Sequence, residues 1–204
     1  EAVLKNFHVQ INLQDMYKRL GKQKRTEISP KLEKRIQEIV QEAYLYIEPL
    51  AVYNIFNLTL YKERKLRQVI INEHLTLTSK SLFELLLNCE KIIVIACTIG
   101  NKISIKINSL MELGNLSDAV IFDAFASEGV EATVEYINKM LEKQLYLEGY
   151  RLTKRFSPGY GDLLVQDQPF ILELLNANEI GISINKSFIM TPEKSITALI
   201  GLEK

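Results

Sequence analysis

Eight consecutive residues, Arg155-Phe156-Ser157-Pro158-Gly159-Tyr160-Gly161-Asp162, combine a permanent cation, a stiff turn, two aromatic rings and a carboxylate. Proline fixes φ at its own position, and glycine opens backbone geometry that a side chain forbids. A loop of this kind can present its own amides and carbonyls to a ligand. By itself, however, a Pro-Gly dipeptide marks an ordinary turn, and Tyr and Arg commonly decorate one. The segment gains chemical meaning from a second group, the acids Asp118, Asp123, Glu128, Glu131 and Glu135. On a continuous helix Glu128, Glu131 and Glu135 share a face. Such a stripe normally faces water, but here the neighbours are small and apolar, including Phe122, Phe125, Val130 and Ala132. A carboxylate in apolar surroundings wants a cation. Arg155 is one candidate and a cationic ligand is the other.

Arginine opposite a helix carboxylate describes a receptor for an amino-acid zwitterion. The guanidinium pairs bidentately with an α-carboxylate, and the acid accepts from the ammonium. Tyr160 offers a ring face to a cation such as a sulfonium. The exposed amides and carbonyls from Pro158 to Gly161 can read the edge of a heterocycle. Ser127-Glu128-Gly129 is expected to interrupt the helix, as though backbone must approach something there.

Other chemistries have little material. No GxGxxG loop opens a helix, and no GxxxxGK[ST] motif is present. Thr98-Ile99-Gly100-Asn101-Lys102 follows an apolar run, but one glycine cannot cradle a phosphate, so it reads as a strand-ending turn. The two histidines, His8 and His74, lie far apart, which argues against a histidine-centred triad or a zinc site. Cys89 and Cys97 lack metal-site spacing and read as reduced, partly buried thiols. Net charge is zero, so no general electrostatic grip on nucleic acid or membrane is expected. The basic runs Lys18–Arg25 and Lys62–Arg67 read as solvated surface, without the aromatic interleaving of a single-strand groove. No leading basic-then-apolar signal and no bilayer-length apolar run is seen, so a cytoplasmic location is expected.

The elements that must hold these residues follow from periodicity. Residues 3–13 alternate apolar and polar and predict a strand; 15–20 predict a short helical turn ending at Gly21. Ser29-Pro30 is an N-cap followed by N1 and opens a helix to about Ile47. Residues 52–60 and 69–77 predict strands joined by a polar hairpin connection at 62–67. Thr78-Ser79 caps a helix to Asn88. The unbroken apolar run within Lys91–Thr98 predicts a strand buried on both faces. Helices are predicted over 103–113, over 116–147 and from Val165-Gln166-Asp167 to about Leu175, then strands over 181–184 and 195–202. Strands and helices do not alternate regularly. That favours an α+β fold with a mostly antiparallel sheet and flanking helices, in one domain spanning 1–204.

Arg155-Phe156-Ser157-Pro158-Gly159-Tyr160 resembles the RxxxGY signature of the S-adenosylmethionine-binding activation domain of vitamin B12-dependent methionine synthase. Ala126–Tyr136 resembles the helix that carries that family's ligand-side glutamate. Ser187-Phe188-Ile189-Met190-Thr191-Pro192 and Ser195 resemble its later segment. Tyr17-Lys18-Arg19-Leu20-Gly21 and the Ser-Pro-Gly-Tyr-Gly-Asp spelling resemble the free-standing form, a separate protein beside a synthase lacking this domain.

The resemblance implies an S-adenosylmethionine site at Arg155, Ser157, Pro158, Gly159 and Tyr160, with Glu131 or alternatively Glu128 as the helix glutamate. Asp15 is the candidate for the family's N-terminal aspartate. Where the family has aromatic residues after the serine segment, this chain reads Ala198-Leu199-Ile200, so any ligand contact there would be through backbone. The implied function is reductive reactivation. An electron donor such as flavodoxin reduces oxidised cobalamin on the synthase, and S-adenosylmethionine remethylates the cob(I)alamin. The implied partner is the cobalamin-binding synthase subunit, and no catalytic residue is implied in this chain. Two other readings stay open: a ligand-free interaction subunit of a corrinoid methyltransferase, and an S-adenosylmethionine-dependent methyltransferase with another acceptor. The missing glycine-rich loop argues against the last.

Overall fold

The computed structural model describes residues 2–21 and 28–204. Lys22, Lys24 and Arg25 of the first basic run lie outside the described residues. In chain order the elements are β1 (Ala2–Leu4), α1 (Leu13–Arg19), α2 (Pro30–Ala43), β2 (Leu50–Glu63), β3 (Leu66–Ile71) and β4 (Leu75–Thr78). There follow α3 (Lys80–Leu85), β5 (Cys89–Thr98), α4 (Lys102–Glu112), α5 (Leu116–Tyr146), β6 (Arg151–Leu152) and α6 (Gln168–Leu174). The chain ends with β7 (Ser183–Ile184), β8 (Met190–Thr191) and β9 (Ser195–Glu203).

The main sheet runs β4-β3-β2-β5-β9-β6, with β1 also paired to β2. Every pairing in it is antiparallel, which is the expected α+β arrangement. The continuous apolar run of β5 has its predicted cause. Ile93, Ile95 and Cys97 join a core with α1, α2, α4 and α5, while Ile92, Val94 and Ala96 join a second core with α3 and α6. Pleating sends alternate residues to opposite faces, so a strand covered on both faces must be apolar throughout. β9 is shared in the same way, with Ala198, Ile200 and Leu202 in the first core and Leu199 in the second.

Several boundaries differ from expectation. Of the strand predicted over 3–13 only Val3 and Leu4 pair in the sheet, together with Ala2 before them. Asn12 then diverts the chain into α1, its side chain accepting from the amides of Gln14 and Asp15. This local cap outcompetes the alternating pattern. Ser29 caps α2 as expected, but α2 ends at Ala43, followed by a 3-10 turn over Tyr44–Tyr46. α5 runs unbroken for 31 residues, through Gly129. Glycine is there for proximity rather than interruption. A Cβ on Gly129 would stand 3.3 Å from Ile99 Cδ1 and 3.4 Å from Ile11 Cδ1. The backbone of α5 thus lies directly on Ile11, just before α1, and on Ile99, just after β5.

Candidate functional site

The loop is fixed by β9. β6 pairs with β9 at Arg151↔Glu203 and Leu152↔Leu202, and a further bridge joins Phe156 to Leu199. The Phe156 amide donates to Leu199 O at 2.9 Å, and the Leu199 amide donates to Phe156 O at 2.7 Å. Ser157 Oγ then donates to Thr197 O at 2.6 Å. Phe156 packs into the α3/α6 core. Its neighbour Arg155 reaches α5, where Nη1 and Nη2 each lie 3.4 Å from Glu131 Oε2. Nη2 is also 4.0 Å from Glu135 Oε2.

The turn beyond is self-bonded. The Tyr160 amide donates to Ser157 O, the Leu163 amide to Tyr160 O, and the Gly159 amide to Leu163 O. Gly159 and Gly161 have φ of +91° and +55°, in the left-handed region that favours glycine. Gly161 also has no room for a side chain, because a Cβ would meet Ser81 Oγ at 2.9 Å and Ser81 Cβ at 3.0 Å. The loop presses on the start of α3, and Asp162 locks it there. Asp162 Oδ1 accepts from Ser79 Oγ at 2.6 Å and from the Ser81 amide at 3.0 Å, and Oδ2 accepts from the Lys80 amide at 2.7 Å. The Ser79 hydroxyl first, and then the Ser81 and Lys80 amides, hold this carboxyl well below the usual carboxylate range. Asp162 therefore does more than close its own turn: it fastens the loop to a second element.

A cleft of about 790 Å³ opens beside this loop. Arg155, Ser157, Pro158 and Tyr160 line it from the loop, and Glu131 lines it from α5. Gln168 of α6 and Met190, Ser195 and Thr197 line it from the other side of the sheet edge. An adjoining groove of about 570 Å³ shares Glu131 and Arg155 and contains Asp15, Arg19, Glu128 and Glu135. Another cleft of about 670 Å³, between residues 6–10 and 44–49, has only His8, Tyr44 and Glu48 as ionisable lining groups. The loop cleft is the one where opposite charges, an aromatic ring and neutral polar groups converge, the usual make-up of a small-molecule site.

The structure thus brings Arg155, Ser157, Pro158, Tyr160 and Glu131 into one cleft. Gly159 shapes the loop without lining the cleft. Glu128 faces the adjoining groove, is 7% exposed and is ion-paired with Arg19, so of the two helix glutamates it is Glu131 that meets the main cleft. Tyr160 is 68% exposed, at the open side. Asp15 lines the adjoining groove and pairs with Lys18 at 2.5 Å. Ala198, Leu199 and Ile200 are fully buried, and their backbone is paired with β5 and with Phe156. The backbone of these three residues is thus engaged in the sheet. Burial pushes the Cys97 thiol up to about 12, which leaves it inert.

Periodicity missed Gln168, Thr197 and Ser81. A glutamine beside a proline at the start of a helix carries no local mark of function. The one available signal was the Ser195–Thr197 alternation in an otherwise apolar strand, which puts two hydroxyl residues on one face at the strand's start.

No family model matches the chain, and no curated protein matches it. Among solved structures, the crystal structure of the MetH reactivation domain bound to AdoHcy is similar over 98% of this chain and 78% of that chain. The TM-score is 0.67 and the sequence identity 15%. By class, then, this is an α+β protein with an antiparallel sheet between helical layers. More particularly, its fold is that of the MetH reactivation domain. Among the described residues, no helix is long and apolar enough to cross a membrane, and no cluster of His, Cys, Asp and Glu could hold a metal ion.

Proposed function

We propose that this chain binds S-adenosylmethionine in the loop cleft and supports reductive reactivation of a B12-dependent methionine synthase that lacks its own activation domain. The observation that carries the reading is the Arg155–Glu131 pair in the wall of a cleft beside the Arg155–Asp162 loop, on a fold whose solved counterpart was crystallised with AdoHcy.

The residues present fit such a ligand. At about 790 Å³ the cleft lies within the ~300–1,000 Å³ typical of small-molecule sites. Both Arg155 contacts with Glu131 are 3.4 Å, longer than the ~2.7–2.9 Å of a well-formed ionic hydrogen bond. Both side chains keep access to water, so exchanging this pair for a zwitterion loses little. Arg155 takes the α-carboxylate and Glu131 the ammonium. Placing the acid at the amino group keeps it from favouring the sulfonium ground state, whose charge disappears on transfer. Tyr160, at the open side, presents its ring to the sulfonium. The corrinoid carried by the partner supplies the methyl acceptor. This chain contributes alignment, holding the methyl group toward the open face. Methyl transfer removes no proton from the donor, so no general base is required. The partner is a cobalamin-binding synthase subunit, with flavodoxin or another donor supplying electrons.

The test is transfer of labelled methyl from S-adenosylmethionine to reduced cobalamin on a candidate synthase, with and without this chain. Label should reach the corrinoid only when the chain is present. Equal labelling without it would sink the proposal. Labelling of another acceptor with no corrinoid protein present would instead establish an ordinary methyltransferase.

A further inference from the structure

At the far end of the same cleft, Gln168 is a polar side chain 5% exposed, yet only half of its amide is used. Nε2 donates to Thr197 Oγ1 at 2.7 Å and lies 3.6 Å from Met190 Sδ. In this orientation Nε2 faces two groups that can accept, the Thr197 hydroxyl and the Met190 thioether. The amide thus turns Nε2 toward Thr197 and Met190 and Oε1 away from them. No described residue donates to its Oε1. Nor is Oε1 among the fully enclosed unpartnered atoms, which are Ser104 Oγ and Asn138 Oδ1. An unpartnered acceptor that is not enclosed, on a side chain lining the cleft, opens into the cleft.

The two ends of the cleft differ in chemistry. Glu131 comes from α5, on one core, and Gln168 from α6, which packs on the other, so the cleft straddles the sheet edge. The α5 end is ionic. The α6 end is neutral, with Gln168, Thr197 and Met190, and suits an uncharged ring. Resting on the S-adenosylmethionine reading above, we infer that Gln168 determines base specificity: its Oε1 accepts a hydrogen from the exocyclic amine of the adenine. A buried acceptor left without a donor is costly, so a base that carries a carbonyl at that position is rejected.

The test compares S-adenosylhomocysteine with its inosyl counterpart, in which a carbonyl replaces the amine, by competition on the wild type, Gln168→Met and Gln168→Glu. Both ligands compete for the same folded molecules, so their affinity ratio does not depend on how much of a variant is folded. Wild type should prefer the adenosyl compound by about tenfold or more. Gln168→Met should bring the ratio to within about twofold of unity, and Gln168→Glu, which keeps an acceptor oxygen, should retain the preference. A preference that survives intact in Gln168→Met overturns the assignment while leaving the ligand reading standing. A wild type that binds neither compound overturns both.

Discussion

Asp162→Asn should lower stability at neutral pH by an amount that fades in acid. The carboxylate accepts three hydrogen bonds, from the hydroxyl of Ser79, which caps α3, and from the amides of Lys80 and Ser81, at 2.6, 2.7 and 3.0 Å. Asparagine keeps the size but loses the charge and one acceptor oxygen. The site is exposed, so its worth is that of a helix cap rather than of a buried ion, about 1–2 kcal/mol. For a chain of this length that is roughly 2–4 °C of melting temperature per kcal/mol. The pH dependence has a definite sign. The folded carboxyl sits below its unfolded value, near ~3.9, so the contribution is complete above about pH 5 and drains as pH falls below about 4. Thermal melts of wild type and Asp162→Asn at pH 7, 5 and 3 measure it. The difference should be several degrees at pH 7, the same at pH 5, and smaller at pH 3. Melting temperatures within about 1 °C at pH 7, or a deficit undiminished at pH 3, would refute the loop anchor.

Two further substitutions separate structural ion pairs from ligand groups. Arg19→Ala strips the partner from Glu128, which is 7% exposed, and should cost about 1–3 kcal/mol in urea unfolding. Arg155→Ala leaves Glu131 in contact with water and should cost under about 1 kcal/mol, so equal losses would contradict the division of roles. Gly161→Ala puts a Cβ against Ser81 at a φ of +55° and should destabilise by about 1–3 kcal/mol. Ser81→Gly in the same chain should restore part of that loss; no recovery would mean that the strain lies in φ alone.

The legible parts of the fold were those written in local chemistry. β5 declared itself because both of its faces are covered, so no polar residue interrupts Ile92–Ala96. Ser29-Pro30 and Ser79 announced helix starts through their capping oxygens. The failures came where tertiary contacts decide. Nothing in Arg151-Leu152 marks a strand, because β6 exists only through its pairing with β9. Gly129 read as a break because glycine usually weakens a helix, whereas here it admits Ile11 and Ile99 against the helix backbone. The charged half of the site was legible because Arg155, Glu131 and the glycine-rich turn are unusual residues in unusual company. Gln168 and Thr197, which line the cleft, were not, since they meet only where α6 packs against the start of β9. Ala198-Leu199-Ile200 departs from the family's aromatic residues, and here these residues serve the sheet and the core.

The central claim is that Arg155 anchors S-adenosylmethionine in the loop cleft. Isothermal titration of the wild type and Arg155→Ala with S-adenosylmethionine tests it most directly. The wild type should give saturable heat at one site per chain, and Arg155→Ala should bind at least about a hundredfold more weakly while melting nearly as the wild type does. Absence of heat with the wild type, or equal affinity in the variant, would contradict it.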